Sequence, residues 1–274
     1  MQYVTLHNGV KMPQLGFGVY QIENDQMNEV MEHAFAAGYR SIDTAQLYGN
    51  ESGLGEAIKA SQVDRDELFI TTKVWNSHHG YNETLQAFDN SLKRLQLDYV
   101  DLYLVHWPAP NFNKYIDTYK ALETLYKNGK VRAIGVCNFD IEHVDHLLKE
   151  CEIKPVVNQI ECHPYFQQRE MKQFCREHDI FVESWSPLYR GEEVLDEDVI
   201  QSLAKKHNKT AAQIVLRWHL QEHSIAIPKS VTPKRIIENI DLFDFELSDD
   251  DMKQISSIDQ NKRRGPDPKE MHNI

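Results

Sequence analysis

Short runs of β-branched and aromatic residues recur along this chain, and a stretch with helical spacing follows almost every one. The runs fall at about 16–20, 38–42, 68–73, 100–106, 131–136, 156–161, 180–184 and 224–228. Among the helical stretches, Leu85, Phe88, Leu92 and Leu95 share one face. Leu122 and Leu125 precede Gly129, a residue suited to a helix C-terminus. Ala204 and residues 211–220 supply helix before the last run. Thr232-Pro233 then reads as an N-cap and first helical position, and Ser248 as the cap of a final helix through Met252 and Ile255. Strands that alternate with helices pair in parallel, because each helix carries the chain back to the starting edge. Eight such units in 274 residues predict a (β/α)8 barrel, with an open doubly wound sheet as the alternative. Residues 4–6, Asn8-Gly9 and residues 10–12 predict a hairpin ahead of it. No Pro/Gly/Ser-rich linker or low-complexity segment interrupts the pattern, so one domain over residues 1–274 is expected.

A barrel dictates where chemistry must sit: after the strands, at their C-terminal ends. Three successive runs end in residue types foreign to a strand interior. Asp43 and Tyr48 follow residues 39–42, Lys73 follows 69–72, and His106 follows 102–105. Each has an ordinary explanation alone. Asn50 suits the cap of the next helix, a strand-end Lys often snorkels to solvent, and a His beside Trp often belongs to a core. On one rim they form a proton-donating set. A phenol is a weak acid with a pKa near ~10, and a nearby ammonium is expected to lower it. A carboxylate would hold the amine in place, and an imidazole would orient a reacting oxygen. Such a set protonates a developing alkoxide, and without a Ser or Cys nucleophile it fits acyl transfer poorly.

Beyond the last run, Lys229-Ser230-Val231-Thr232-Pro233-Lys234-Arg235 places cations and hydroxyls around a helix N-terminus, a site for an anion. Arg235, Glu238 and Asn239 share one face by spacing, with Ile236, Ile237 and Ile240 on the other. The plainer reading is an amphipathic helix with an internal Arg–Glu pair. Gly16-Phe17-Gly18 lacks the third glycine of a dinucleotide fingerprint. His78-His79, His143 with His146, and Cys162-His163 lack ligand company at metal spacing, so no metal is expected. The balance of 30 basic and 42 acidic residues, net −12, opposes nucleic acid or an anionic membrane as partner. No run of ~18 apolar residues occurs. The four cysteines form no C-x-x-C pair and no leader precedes them, so reduced thiols in a cytoplasmic protein are expected. Nothing in the chain demands a partner subunit, and a monomer is expected.

In order along the chain, the motifs I-D-T-A-x-x-Y-x-N-E, the strand-end Lys73, H-W-P and I-P-K-S…R-x-x-E-N together resemble the aldo-keto reductase superfamily. The resemblance runs from the Asn8-Gly9 hairpin to the tail. It is closest to bacterial members of the 2,5-diketo-gluconate reductase and glyoxal/methylglyoxal reductase kind, whose tail is similar to Gly265-Pro266-Asp267-Pro268. It implies a (β/α)8 barrel that reduces small carbonyl compounds with NADPH in preference to NADH. It gives Tyr48 the role of general acid, tuned by Lys73 and Asp43, with His106 orienting the carbonyl. It assigns the nicotinamide carboxamide to Asn138 and Gln159, ring stacking to Trp185, and the 2′-phosphate to Lys229, Ser230 and Arg235. It assigns the adenine to Glu238 and Asn239, and adds Gly18, Ser186 and Leu188 to the cofactor site. Tyr20, Trp75, His106 and Trp107 would line the substrate pocket. Cys137 stands where many members have Ser, and Arg190 where small residues are common. A non-enzymatic barrel like the potassium-channel β-subunits is the competing class, opposed by the intact Asp43/Tyr48/Lys73/His106 set.

Overall fold

Tyr3–Thr5 (β1) and Lys11–Pro13 (β2) pair antiparallel, and the connection turns at Gly9, whose φ of 85° favours a residue without a side chain. This is a computed structural model and it describes residues 1–271; the last three positions of the expected 1–274 domain lie outside the described residues. Eight strands then follow in one parallel sheet: β3 (Phe17–Gly18), β4 (Ser41–Asp43), β5 (Phe69–Val74), β6 (Val100–Val105), β7 (Val131–Cys137), β8 (Val157–Glu161), β9 (Phe181–Trp185) and β10 (Ile225–Ala226). Each lies beside its sequence neighbour. The two ends of the sheet also meet. Leu15 bridges Ala226 in parallel, the Gly16 N–H donates to the Ala226 carbonyl at 2.9 Å, and the Gly18 N–H donates to that of Pro228 at 3.0 Å. The sheet is therefore closed into the expected barrel, and the open-sheet alternative falls away.

Helices separate the strands: α1 (Asn24–Ala37), α2 (Glu51–Ala60), α3 (Tyr81–Leu95), α4 (Tyr115–Lys127), α5 (Ile141–Glu150) and α6 (Arg169–Glu177), then α7 (Asp198–His207) and α8 (Ala211–Gln221) together before β10. The chain continues into α9 (Pro233–Ile240) and α10 (Asp249–Ser256). Phe88, Leu92 and Leu95 of α3 are buried, as their spacing predicts, and pack with Ile70 and Tyr103 of the sheet in the main core. Ser248 caps α10 by accepting the Asp251 N–H at 3.3 Å. A separate cluster inside the barrel joins Leu6 and Met12 of the hairpin region to Phe69, Leu102, Ala133, Val157 and Ile225. Phe69, Val157 and Ile225 are the first residues of their strands. The hairpin thus plugs the N-terminal mouth with apolar side chains and leaves the C-terminal mouth for polar ones.

Three local expectations need correction. Asn50 stands at the N-cap position of α2 but makes no capping bond. Its side chain accepts from Thr44 Oγ1 at 2.8 Å and donates to the carbonyls of Val19 and Ile22, tying two strand-to-helix loops together. In α9 the Arg235–Glu238 pair does not form; Glu238 lies 3.6 Å from Lys234, the i, i+4 partner. Ile237 is 57% exposed rather than on the packed face, which Ile236 and Asn239 supply. No helix among the described residues is long and apolar enough to cross a membrane, and none of their His, Cys, Asp and Glu side chains form a metal-ligating group.

Candidate active site

Asp43 is the last residue of β4, Lys73 lies near the end of β5, and His106 directly follows β6. The parallel register aligns these ends, so three side chains converge on one rim. Tyr48 reaches the same point from a short 3-10 turn at Gln46–Tyr48. Lys73 has no solvent exposure. Its Nζ donates to Asp43 Oδ1 at 2.6 Å and to the Thr44 carbonyl at 2.9 Å, and contacts the Tyr48 hydroxyl at a longer 3.5 Å. An ammonium has three N–H donors, and all three are thereby used. The Tyr48 oxygen is an acceptor toward Lys73, so its own proton points elsewhere.

The electrostatics differ in one respect from the sequence reading. Burial pushes the Tyr48 phenol up, and the pull of Lys73 in the opposite direction only partly offsets it. The expected net lowering does not occur, and Tyr48 holds its proton throughout the neutral range. For Lys73 burial works downward, but the Asp43 carboxylate and Tyr48 outweigh it and keep the amine charged. His106 is held well below its ordinary value by burial, then by Lys73 and His79, so its ring is neutral at pH 7. That ring meets Tyr48 edge-on at 5.8 Å between centroids and Trp75 at 5.1 Å. Tyr20, 47% exposed, stands 4.9 Å from the Tyr48 ring, while Trp75 and Trp107 are buried. A protonated phenol, a fixed cation behind it and a neutral imidazole beside it can donate protons to an oxygen that gains charge.

The remaining candidate residues continue round the mouth. Asn138, in a left-handed conformation with φ 61°, donates to the His106 carbonyl at 3.0 Å and accepts from the Trp185 indole N–H at 2.8 Å. Gln159 donates to Asp43 Oδ2 at 2.8 Å. Cys137 is buried and its thiol lies 3.6 Å from Gln159 Oε1; burial pushes the thiol well up, so it stays protonated. Gly18 lies at the barrel seam, where an added Cβ would sit 3.2 Å from the Ile227 carbonyl. Ser186 is held at φ 51°, and its hydroxyl is buried with no partner. Leu188 is half-buried, and Arg190 is exposed with no partner among the described residues. Lys229 and Arg235 are also exposed and pair with no carboxylate among the described residues. Ser230 Oγ accepts the Thr232 N–H at 3.1 Å, and α9 begins without a side-chain cap.

Sequence reading missed two buried carboxyls. Glu161 accepts the Arg264 and Gly265 N–H groups, each at 2.7 Å, and lies 2.9 Å from His163 Nε2. This anchors the tail across the rim, where Gly265 packs so closely on Trp185 that a Cβ would be 2.5 Å from Cη2. Glu183 accepts from Gln159 inside the barrel. A Glu inside a buried strand was the signal for both.

A model of the aldo/keto reductase family matches residues 14–260. The chain is 54% identical to the glyoxal reductase of Bacillus subtilis over 269 residues, covering 98% of this chain and 96% of that one. It is 50% identical to the methylglyoxal reductase DkgA of Escherichia coli over 266 residues, covering 97% and 96%. The structure of a mutant of Gox0644 in complex with NADPH superposes with a TM-score of 0.94 at 46% identity, covering 98% of each chain.

Proposed function

We propose that this chain, which belongs to the aldo/keto reductase family, reduces aldehydes and ketones to alcohols with NADPH and uses Tyr48 as the general acid. The family makes it an oxidoreductase, and its relatives' names support carbonyl reduction. NADPH, when bound, would supply the hydride that reduces the carbonyl carbon. The protein's residues account for the rest. Lys73 holds the Tyr48 oxygen, Asp43 holds Lys73, and the Tyr48 proton is left to meet the carbonyl oxygen as charge builds there. His106, neutral, donates a second hydrogen bond to the same oxygen. The observation that carries this reading is the Lys73 ammonium, fully buried and with every donor engaged at Asp43, Thr44 and Tyr48.

The rim suits a phosphate-bearing cofactor. Lys229 and Arg235 are cations without carboxylate partners among the described residues, the first turn of α9 lacks a side-chain cap, and the buried Ser186 hydroxyl has no partner. In this reading Lys229, Ser230 and Arg235 hold the 2′-phosphate, and Glu238 and Asn239 meet the adenine. Ser186 and Leu188 line the path between, beside Gly18. Trp185 stacks on the nicotinamide, while Asn138 and Gln159 take its carboxamide. Trp75, Trp107 and Tyr20 give the substrate pocket aromatic walls, which suits a small carbonyl such as the 2-oxoaldehyde methylglyoxal. We take the chain to act as one barrel domain, as a monomer and in the cytoplasm.

The test is a panel of aldehydes and ketones with NADPH, read by loss of its absorbance, with NADH in parallel. Turnover of methylglyoxal and tighter binding of NADPH than NADH by fluorescence titration are expected. No turnover across the panel, or equal affinity for both cofactors, would overturn the reading.

A further inference from the structure

The interior face of β9 puts Glu183 beneath the rim, with no solvent exposure. Gln159 Nε2 donates to Glu183 Oε2 at 2.8 Å and to Asp43 Oδ2 at 2.8 Å. An amide nitrogen has two hydrogens, and both are used. The orientation of this amide is therefore dictated by chemistry: the reverse would set its oxygen against the Asp43 carboxylate, which has no proton to give. Gln159 is left with one free function, its carbonyl oxygen, which faces only the weak Cys137 thiol at 3.6 Å. We propose that Glu183 is a positioning residue that, with Asp43, clamps the Gln159 amide so that its oxygen is presented to the nicotinamide carboxamide, and that it does so as a neutral carboxylic acid.

The charge balance supports the second half. The ionisable groups facing Glu183 are Asp43 from β4, Lys73 from β5 and Cys137 from β7. Its sheet neighbours bring Gln159 from β8 and the apolar Ile225 and Ala226 from β10. One ammonium thus serves two carboxyls, and it bonds Asp43 directly at 2.6 Å. A second buried carboxylate without its own cation is costly. Glu183 Oε1 has no hydrogen-bond partner, and an unpartnered oxygen costs less to bury in a neutral acid than in a carboxylate. Burial first, and then the Asp43 charge, push the Glu183 carboxyl up to about 8. Sign follows: with its pKa raised above the unfolded value, Glu183 contributes stability that is complete at acid pH and lost as pH rises toward and through about 8.

This inference rests on the cofactor reading above, and two substitutions separate them. Glu183→Gln keeps an oxygen for the Gln159 N–H and cannot ionise; Glu183→Leu removes the acceptor. At about pH 7, Glu183→Leu is expected to weaken NADPH about tenfold, by fluorescence titration, and Glu183→Gln to restore most of that loss. Without cofactor, the unfolding temperature of the native protein should fall more steeply between about pH 6 and pH 9 than that of Glu183→Gln. A folded Glu183→Leu with native NADPH affinity would overturn the clamp. A Glu183→Gln variant with the native pH dependence of unfolding would overturn the neutral acid, and that measurement stands even if Glu183→Leu does not fold. Native protein that fails to bind NADPH would bring down the cofactor reading and the clamp together, whereas native binding with insensitive variants sinks the clamp alone.

Discussion

In the proposed function single residues at strand ends carry the chemistry, and they were legible because each breaks an apolar run. Asp43, Lys73 and His106 announce themselves as charged or titratable types where a strand should stay apolar. Their energetics were less legible. Lys73 was expected to lower the Tyr48 pKa, yet desolvation outweighs its charge, a balance that depends on burial depth. Nor did the sequence reveal Glu183, whose proposed positioning role rests on a bond to Gln159 of the neighbouring strand. Burial beside the site also acts on His79, which is 3% exposed, has no partner for either ring nitrogen and is lowered to about 4. Its folded pKa lies below the unfolded value, so its stability contribution is present above about 6.5 and lost as pH falls toward 4. That shift corresponds to about 3 kcal/mol. Chemical denaturation at pH 7 and pH 4 should therefore show His79→Leu losing about 3 kcal/mol less than the native protein on acidification. An equal loss in both would contradict it.

Elements position those residues, and their existence was read more easily than their contacts. Alternation of strand and helix signals predicted all eight barrel strands, because period and residue type are local properties. The partners of polar side chains were not local. Asn50 gave up its helix-cap bond for three loop contacts, and Glu238 chose Lys234, leaving Arg235 unpaired at the rim. Helix packing shows a similar long-range demand at Gly55 of α2. A Cβ there would stand 2.5 Å from the Leu95 carbonyl at the end of α3, a backbone atom that cannot swing aside. Since α2 follows the turn that carries Tyr48, separating these helices should be felt at the rim as well. Gly55→Ala is expected to cost about 1–3 kcal/mol in urea unfolding, despite the better helix propensity of alanine. A neutral or stabilising effect would refute the close approach.

For the whole molecule, the closed barrel divides labour between its two mouths. Apolar residues from the hairpin fill one, and polar chemistry occupies the other. The net charge of −12 sets a background that repels an anionic cofactor, so the proposed site would depend on local cations such as Lys229 and Arg235. Both are exposed, and salt screens exposed charges. Raising ionic strength from about 0.05 to 0.5 M should thus weaken NADPH more than NADH, as followed by cofactor-induced shifts in unfolding temperature. Equal salt sensitivity would argue that these cations do not meet the 2′-phosphate. The central claim is that this barrel delivers hydride from NADPH and a proton from Tyr48 to one carbonyl. Its most direct test is Tyr48→Phe, assayed for methylglyoxal reduction and NADPH affinity in the same preparation. Turnover should fall by about 10²–10⁴-fold while the NADPH dissociation constant stays within about twofold, because only the proton donor is gone. Turnover that survives the substitution would contradict it.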